Sequence, residues 1–108
     1  MRMRMVILAA ATAACMTLQS EHVLTGVPRG GPWSGEVKVL MEGAPVPAKY
    51  EEVAIVNATG GAAQATLPAV IGALQDEARK LGCNAVIRVR YDRGEHNASA
   101  TGVAVWLN

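Results

Sequence analysis

The clearest pattern of apolar and polar positions lies at residues 66–81 and predicts an amphipathic helix. Apolar side chains recur there at alternating spacings of four and three, which places them on one face of a helix. These positions are Leu67, Ile71, Leu74, Ala78 and Leu81. Thr66 can cap the start of the helix, Pro68 is tolerated in its first turn, and Gly82 suits the left-handed position after its end.

Apolar runs on both sides of this helix predict four strands. Before the helix, residues 36–41 alternate, and residues 50–57 contain a continuous apolar run at 53–56 that is typical of a strand covered on both faces. After the helix, residues 84–91 and 99–107 alternate and are joined by a short polar connection, which predicts a β-hairpin. In the first of these two strands, Ile87, Val89 and Tyr91 are expected to share one face.

The order strand-strand-helix-strand-strand predicts an α+β domain at residues 35–108. One amphipathic helix would pack on a sheet of about four strands, with a right-handed crossover between the strands that flank it. Residues 15–34 contain several glycines and prolines and show no regular period. They are therefore predicted to be a tether that includes a short strand at 22–25.

Residues 1–14 have the pattern of a secretory signal peptide. Arg2 and Arg4 precede an uncharged segment of small and apolar residues at 6–14. This segment is too short to span a bilayer, which needs about twenty residues. A basic start, a short apolar stretch and small residues before the cut are typical of a segment that is removed on export.

Residues 12–15, Thr-Ala-Ala-Cys, resemble the lipobox of bacterial lipoproteins, in which a signal peptidase cuts before a lipidated cysteine. Thr12 departs from the pattern, where a large apolar residue is usual. The resemblance implies that Cys15 carries acyl chains and that membrane lipid is a partner of the chain. Because no Asp follows Cys15, it also implies the outer membrane, in the leaflet that faces the periplasm. The alternative is an ordinary secretory signal that leaves a free thiol.

Three segments of the domain resemble known bacterial domains: Y-E-E-V-A-I-V at 50–56, E-A-R-K-L-G-C-N-A-V-I at 77–87 and G-V-A-V at 102–105. They are similar to small domains of the YbjQ type, labelled heavy-metal-binding, and to the domain of the Rcs envelope-stress sensor lipoprotein. The resemblance implies an α+β fold. The paired cysteines of the sensor are absent, since residues 35–108 contain Cys83 alone, and no clear ligand cluster supports the metal label.

Charge and motifs argue against several kinds of function. Without Arg2 and Arg4 the chain has eight basic and nine acidic residues, which gives no electrostatic footprint for nucleic acid. No G-x-S-x-G turn is present, and His22, His96 and Cys83 fall short of the four ligands of a zinc site within one chain, although a site shared between subunits stays open. Cys83 is expected to be a buried structural thiol. We therefore expect no enzymatic activity, no cofactor and no metal.

Arg88, Arg90 and Arg93 form the most distinctive polar feature. Guanidinium groups on one strand face could bind carboxylates of a partner or lipid headgroups, and the alternative is a solvated sheet face. We expect a non-enzymatic cell-envelope lipoprotein with a protein-interaction or sensor-like domain that binds a protein or a second copy of itself. The alternative is a soluble periplasmic domain that assembles into rings through its sheet edges and binds a small ligand or metal.

Overall fold

The computed structural model describes residues 18–108, which form one mixed sheet with an α-helix against one face. In chain order the elements are β1 (Leu18–Leu24), β2 (Lys38–Met41), β3 (Tyr50–Gly61), a 3-10 turn (Ala62–Gln64), α1 (Leu67–Lys80), β4 (Ala85–Arg93) and β5 (Asn97–Leu107). The predicted α+β class with one helix is confirmed. The predicted sheet of about four strands is wrong, because five strands are present and three of them precede the helix. The predicted signal peptide and Cys15 lie outside the described residues.

The strands lie in the order β1-β3-β5-β4-β2, so β1 and β2 form the edges of the sheet. β3 and β4 both pair antiparallel with β5, which makes them parallel to each other, and α1 connects them across that central strand. β2 pairs parallel with β4 at the far edge. The predicted hairpin of the last two strands is confirmed as β4–β5.

β1 is the strand that the sequence pattern did not place in the sheet. It pairs antiparallel with β3 from Leu18 opposite Gly60 to Leu24 opposite Ala54, within the segment predicted to be a tether. The short strand predicted at 22–25 lies in the right region but begins too late, since β1 begins at Leu18. The alternation of apolar and polar residues is weak here because β1 is an edge strand that buries little apolar surface.

The segment after β1 is also held against the domain, at the C-terminal end of α1. The backbone amides of Arg29 and Trp33 donate to the carbonyls of Leu81 and Arg79, at 3.2 and 2.9 Å. Carbonyls at the end of a helix lack hydrogen-bond donors within the helix, so this segment supplies donors to them. Residues 18–33 therefore pack as part of the folded unit.

Helix α1 begins and ends as its sequence predicts. Thr66 Oγ1 accepts a hydrogen bond from the Ala69 amide at 3.2 Å, and Pro68 lies in the first turn. At the other end the amides of Gly82 and Cys83 donate to the carbonyls of Arg79 and Ala78, which is the pattern of a Schellman motif. Gly82 has φ +80°, the left-handed conformation that glycine adopts without strain.

Apolar side chains pack on both faces of the sheet. The main core lies between α1 and the sheet and includes Val37, Val53, Val56, Val70, Leu74, Val86 and Val89. A smaller cluster on the other face contains Ala85, Ile87 and Val105. Ile55 is 44% exposed. The expectation that 53–56 is covered on both faces is therefore wrong at Ile55.

A β-bulge at Arg88 changes which residues of β4 lie on each face of the sheet, compared with the sequence prediction. Ile87 pairs with Val103 and Arg90 with Thr101, so Arg88 and Val89 together oppose a single residue of β5. Arg88 adopts φ +53°, and one extra residue reverses the side-chain alternation. Ile87 consequently packs on the opposite face from Val89 and Tyr91, so the predicted common face is wrong for Ile87 and confirmed for the other two.

Candidate functional site

A groove of about 400 Å³ lies beside the C-terminal end of α1. Its lining includes Pro28, Arg29, Pro32, Trp33, Glu51 and Trp106, and we call it the tryptophan groove. The groove brings together the segment after β1, the start of β3 and the end of β5. Gly82 allows the close approach, since a Cβ there would lie 2.9 Å from the Arg29 Cβ and 3.1 Å from the Gly31 carbonyl oxygen.

Arg29 is held at the centre of the tryptophan groove by two contacts. Its guanidinium carbon lies 4.3 Å from the centroid of the Trp106 ring, and its Nη1 donates to Glu51 Oε1 at 2.9 Å. A guanidinium over an indole face gains cation–π energy, which is larger where water is partly excluded. The planar head of Arg29 is thereby fixed before any ligand arrives.

The two tryptophans of the chain meet in this groove. Their ring centroids are 5.1 Å apart with an interplanar angle of 83°, the edge-to-face geometry that aromatic pairs favour. Trp33 Nε1 also donates to the Glu36 carbonyl at 2.9 Å. Both indoles are therefore fixed in position, which lowers the conformational entropy that a ligand would have to remove.

The chemistry of the tryptophan groove suits binding. Its polar side chains are a guanidinium and a carboxylate that pair with each other, and its apolar walls are indole and proline rings. Cys83, close behind Arg29, is fully buried. Burial raises the pKa of the Cys83 thiol to about 11, although the positive charge of Arg29 opposes this. The expectation of a buried structural thiol is confirmed.

A second polar cluster joins β1 to α1, and we call it the carboxylate clamp. Glu77, only 4% exposed, accepts a hydrogen bond from Ser20 Oγ at 2.7 Å, and its Oε2 lies 2.6 Å from His22 Nδ1. Lys80 Nζ is 3.4 Å from the same carboxylate. Burial raises the pKa of Glu77, but the hydrogen bonds from His22 and Ser20 and the charge of Lys80 outweigh it, so the pKa is lowered overall.

The carboxylate clamp lacks the arrangement of a nucleophilic site. In a catalytic triad the hydroxyl donates to the imidazole, which then acts as its base. Here Ser20 and His22 both contact Glu77, so the hydroxyl proton is directed at the carboxylate. The cluster therefore fixes β1 on the helix.

The three arginines predicted to bind a partner lie along β4, away from the tryptophan groove. Arg88 Nη2 donates to the Tyr50 hydroxyl at 3.1 Å, and Arg90 Nε lies 3.6 Å from Glu42 Oε1. Arg93 is exposed at the end of the strand. Their role in partner binding stays a prediction.

Sequence reasoning missed most of the residues that build the two clusters and considered His22 only as a metal ligand. Arg29 and Trp33 lie in the segment that was assigned to a tether because of its glycines and prolines. One signal was available: the chain has two Trp, two Tyr and no Phe, so a tryptophan in such a segment is unusual. Glu77 gave no signal, because a charged helix residue outside the apolar stripe normally faces solvent.

Within residues 18–108 no group of three or more His, Cys, Asp and Glu side chains is placed to hold a metal ion. In the same part of the chain, no helix has the length and apolar character needed to cross a membrane. Comparison of the chain with protein-family models, with curated proteins and with solved structures gave no match.

Proposed function

We propose that this chain is a non-enzymatic lipoprotein of the cell envelope whose domain binds a protein partner in the tryptophan groove. Acyl chains on Cys15 would anchor it in the periplasm-facing leaflet of the outer membrane. The proposed binding role rests on one observation: the Arg29 guanidinium is held by the Trp106 ring and the Glu51 carboxylate. Trp33 lines the same groove. Tryptophan and arginine are enriched among the residues that dominate protein–protein binding energy.

The groove suggests an extended segment of the partner. Aromatic-lined grooves receive proline-rich or other extended segments, whose rings and methylenes pack on the indoles. A carboxylate of the partner could compete with Glu51, which is largely exposed, for the guanidinium of Arg29. We therefore expect a segment that carries an acidic residue next to a proline or another apolar residue.

Photo-crosslinking tests the groove as the binding surface. A photoreactive amino acid at Gly30, where an added side chain meets nothing within 4 Å, should give a defined cross-linked product in intact cells. The same amino acid at Lys49, an exposed position outside the groove, is the control. We expect Arg29→Gln to abolish the product and Arg90→Gln to leave it. If Arg90→Gln abolishes the cross-linked product and Arg29→Gln does not, the partner binds at β4 and the groove is not the binding surface.

Intact mass spectrometry of the mature protein tests the anchor. We expect the wild type to begin at Cys15 with added acyl mass, and the Cys15→Ser variant to lack that mass. An unmodified wild-type chain would contradict the anchored lipoprotein.

The soluble ring-forming alternative is favoured by the two sheet edges. Within residues 18–108, β1 and β2 each pair with a strand on one side only, and Val23 on β1 is 66% exposed. Head-to-tail pairing of β1 with β2 of the next subunit would close a ring if the rotation permits. Light scattering with metal analysis on residues 18–108 decides this: a monomer without stoichiometric metal rules the alternative out.

A further inference from the structure

Residues 53–75 contain no charged side chain, and the turn in the middle of this run is exposed. The run begins after Glu52 and ends before Asp76. It forms most of β3, the 3-10 turn and the first half of α1, so the chain reverses at one end of the sheet. We call the exposed uncharged residues at this reversal the apex: Ala62, Ala63, Thr66, Leu67 and Pro68. Leu67 is 45% exposed although it belongs to the apolar stripe of the helix.

The described chain begins at the same end of the sheet as the apex. Leu18 pairs with Gly60, the residue that precedes the last residue of β3. Cys15 lies three residues earlier in the sequence. Three residues span at most about 11 Å when fully extended, so an anchor attached through Cys15 would be joined to Leu18 by no more than that length of chain. An acyl chain on Cys15 would hold the apex close to the bilayer surface.

The tryptophan groove lies at the other end of the sheet. Glu51 in the groove and Gly60 beside the apex are both residues of β3. They are nine positions apart along the strand, which corresponds to about 30 Å. The long direction of β3 therefore separates the anchor from the groove.

The β4–β5 connection flanks the apex and carries charged side chains. The Ala62 amide donates to the His96 carbonyl at 3.3 Å, which fixes the connection against the turn. Glu95 and His96 lie within 3.7 Å of each other, and Arg93 is exposed at the end of β4. Charges at the rim and small uncharged residues at the centre suit contact with lipid headgroups and the upper part of the acyl region.

We infer that the apex rests on the lipid surface around Cys15 and that the tryptophan groove opens about 30 Å away from the membrane. This inference rests on the acylation of Cys15 in the proposed function. The apex provides one large apolar side chain, Leu67, so it contacts the surface without providing an anchor of its own. The groove is thereby presented to a partner in the periplasm.

Fluorescence quenching in vesicles tests this orientation. The full mature chain, purified from membranes, is placed in vesicles of phosphatidylethanolamine and phosphatidylglycerol that contain lipids with a nitroxide at the headgroup. A fluorescent amino acid replaces Ala63 in the apex or, as the control, Lys49, which immediately precedes β3 at its opposite end. We expect several-fold stronger quenching at position 63. Leu67→Glu should reduce that quenching, whereas Val27→Glu, at an exposed site that lines the groove, should leave it unchanged.

Mass spectrometry of the same sample separates the inference from the proposed function. If Cys15 is acylated and positions 63 and 49 are quenched equally, the orientation is wrong while the anchor stands. If Cys15 is unmodified, the proposed anchor fails. The thiol of Cys15 is then coupled to a maleimide phospholipid, because Cys83 is buried and does not compete. Equal quenching in that sample overturns the apex contact, and stronger quenching at position 63 supports it.

Discussion

Glu77 determines how the first strand is held on the domain. It is a helix residue with a charge, and it is buried because two side chains of β1 satisfy its oxygens. A buried carboxylate without partners would be costly, so the helix and the edge strand depend on each other at this point. The two tryptophans and Arg29 show the same dependence in the groove, where each group is positioned by another.

Removing the carboxylate of Glu77 should destabilise the domain. Glu77→Ala leaves the Ser20 hydroxyl and the His22 imidazole without their partner, and we expect the free energy of unfolding to fall by about 1–3 kcal/mol. Asp76→Ala is the matched control, since Asp76 is exposed and its ion pair in the described part of the chain is with Arg79. Its effect should stay within about 0.5 kcal/mol. Urea denaturation measures the free energy of unfolding of both variants. Equal decreases in the two would show that the carboxylate clamp does not stabilise the domain.

The lowered pKa of Glu77 also predicts how stability depends on pH. A carboxyl group with a folded pKa below its usual value of 4.5 stabilises the folded state above that value. The contribution is lost as the pH falls through the lower, folded pKa. The difference in unfolding free energy between wild type and Glu77→Gln should therefore be full above pH 4.5 and shrink at more acidic pH. Urea titrations at a series of pH values test this, and a difference that grows with acid would contradict it.

At the scale of elements, the bulge in β4 and Gly102 of β5 fit each other. The two residues of the bulge oppose Gly102, and a Cβ on Gly102 would lie 2.6 Å from Val86 Cγ1 and 3.0 Å from Val89 Cγ2. Both valines are fully buried, so they have little room to move. The glycine is therefore required by packing, since its backbone is ordinary strand.

Gly102→Ala should consequently destabilise the protein. We expect a loss of about 1–3 kcal/mol because the added methyl group overpacks a full core. Gly72→Ala, in the middle of α1, is the opposite case, since a Cβ there meets nothing within 4 Å. It should raise stability by about 0.5–1 kcal/mol through the helix preference of alanine. Thermal unfolding of the two variants should shift in opposite directions, and a shared direction would refute the packing argument.

The helix could be predicted in detail from the sequence, whereas the sheet could be predicted only in part. Helix caps are local, and Thr66, Pro68 and Gly82 act within one turn of their own positions. The bulge at Arg88 gave no signal, because arginine has no preference for φ +53° and the cause lies in the fit between neighbouring strands. The face of Ile87 was therefore assigned wrongly, although the strand itself was found.

The edge strand and the candidate site also depend on contacts between residues that are distant in the sequence. β1 lacks a clear apolar alternation, and its position depends on backbone pairing with β3 and on Glu77, which lies 57 residues from Ser20. The groove joins Arg29 and Trp33 to Glu51 and Trp106, which are distant in the sequence. Contacts of this kind are set by topology, and a single sequence does not encode them in a local pattern.

At the scale of the whole molecule, residues 18–33 should be necessary for folding. A chain of residues 35–108, the domain expected from the sequence, lacks β1, Arg29 and Trp33. It would expose one edge of β3 and leave Glu77 without Ser20 and His22. We expect residues 18–108 to give a cooperative urea transition and residues 35–108 to give none, followed by far-ultraviolet circular dichroism. Equal transitions would show that the segment is dispensable.

The direction of β1 has a mechanical consequence. Its first residue, Leu18, follows Cys15 by three positions in the sequence, and the chain leaves its other end toward the tryptophan groove. Tension between an acylated Cys15 and a partner in the groove would act parallel to β1 and β3. In this shear direction the ladder hydrogen bonds carry the load together, whereas a pull across the sheet would break them one after another. The carboxylate clamp adds a cross-link from β1 to the helix, so the domain would transmit force between membrane and partner while staying folded.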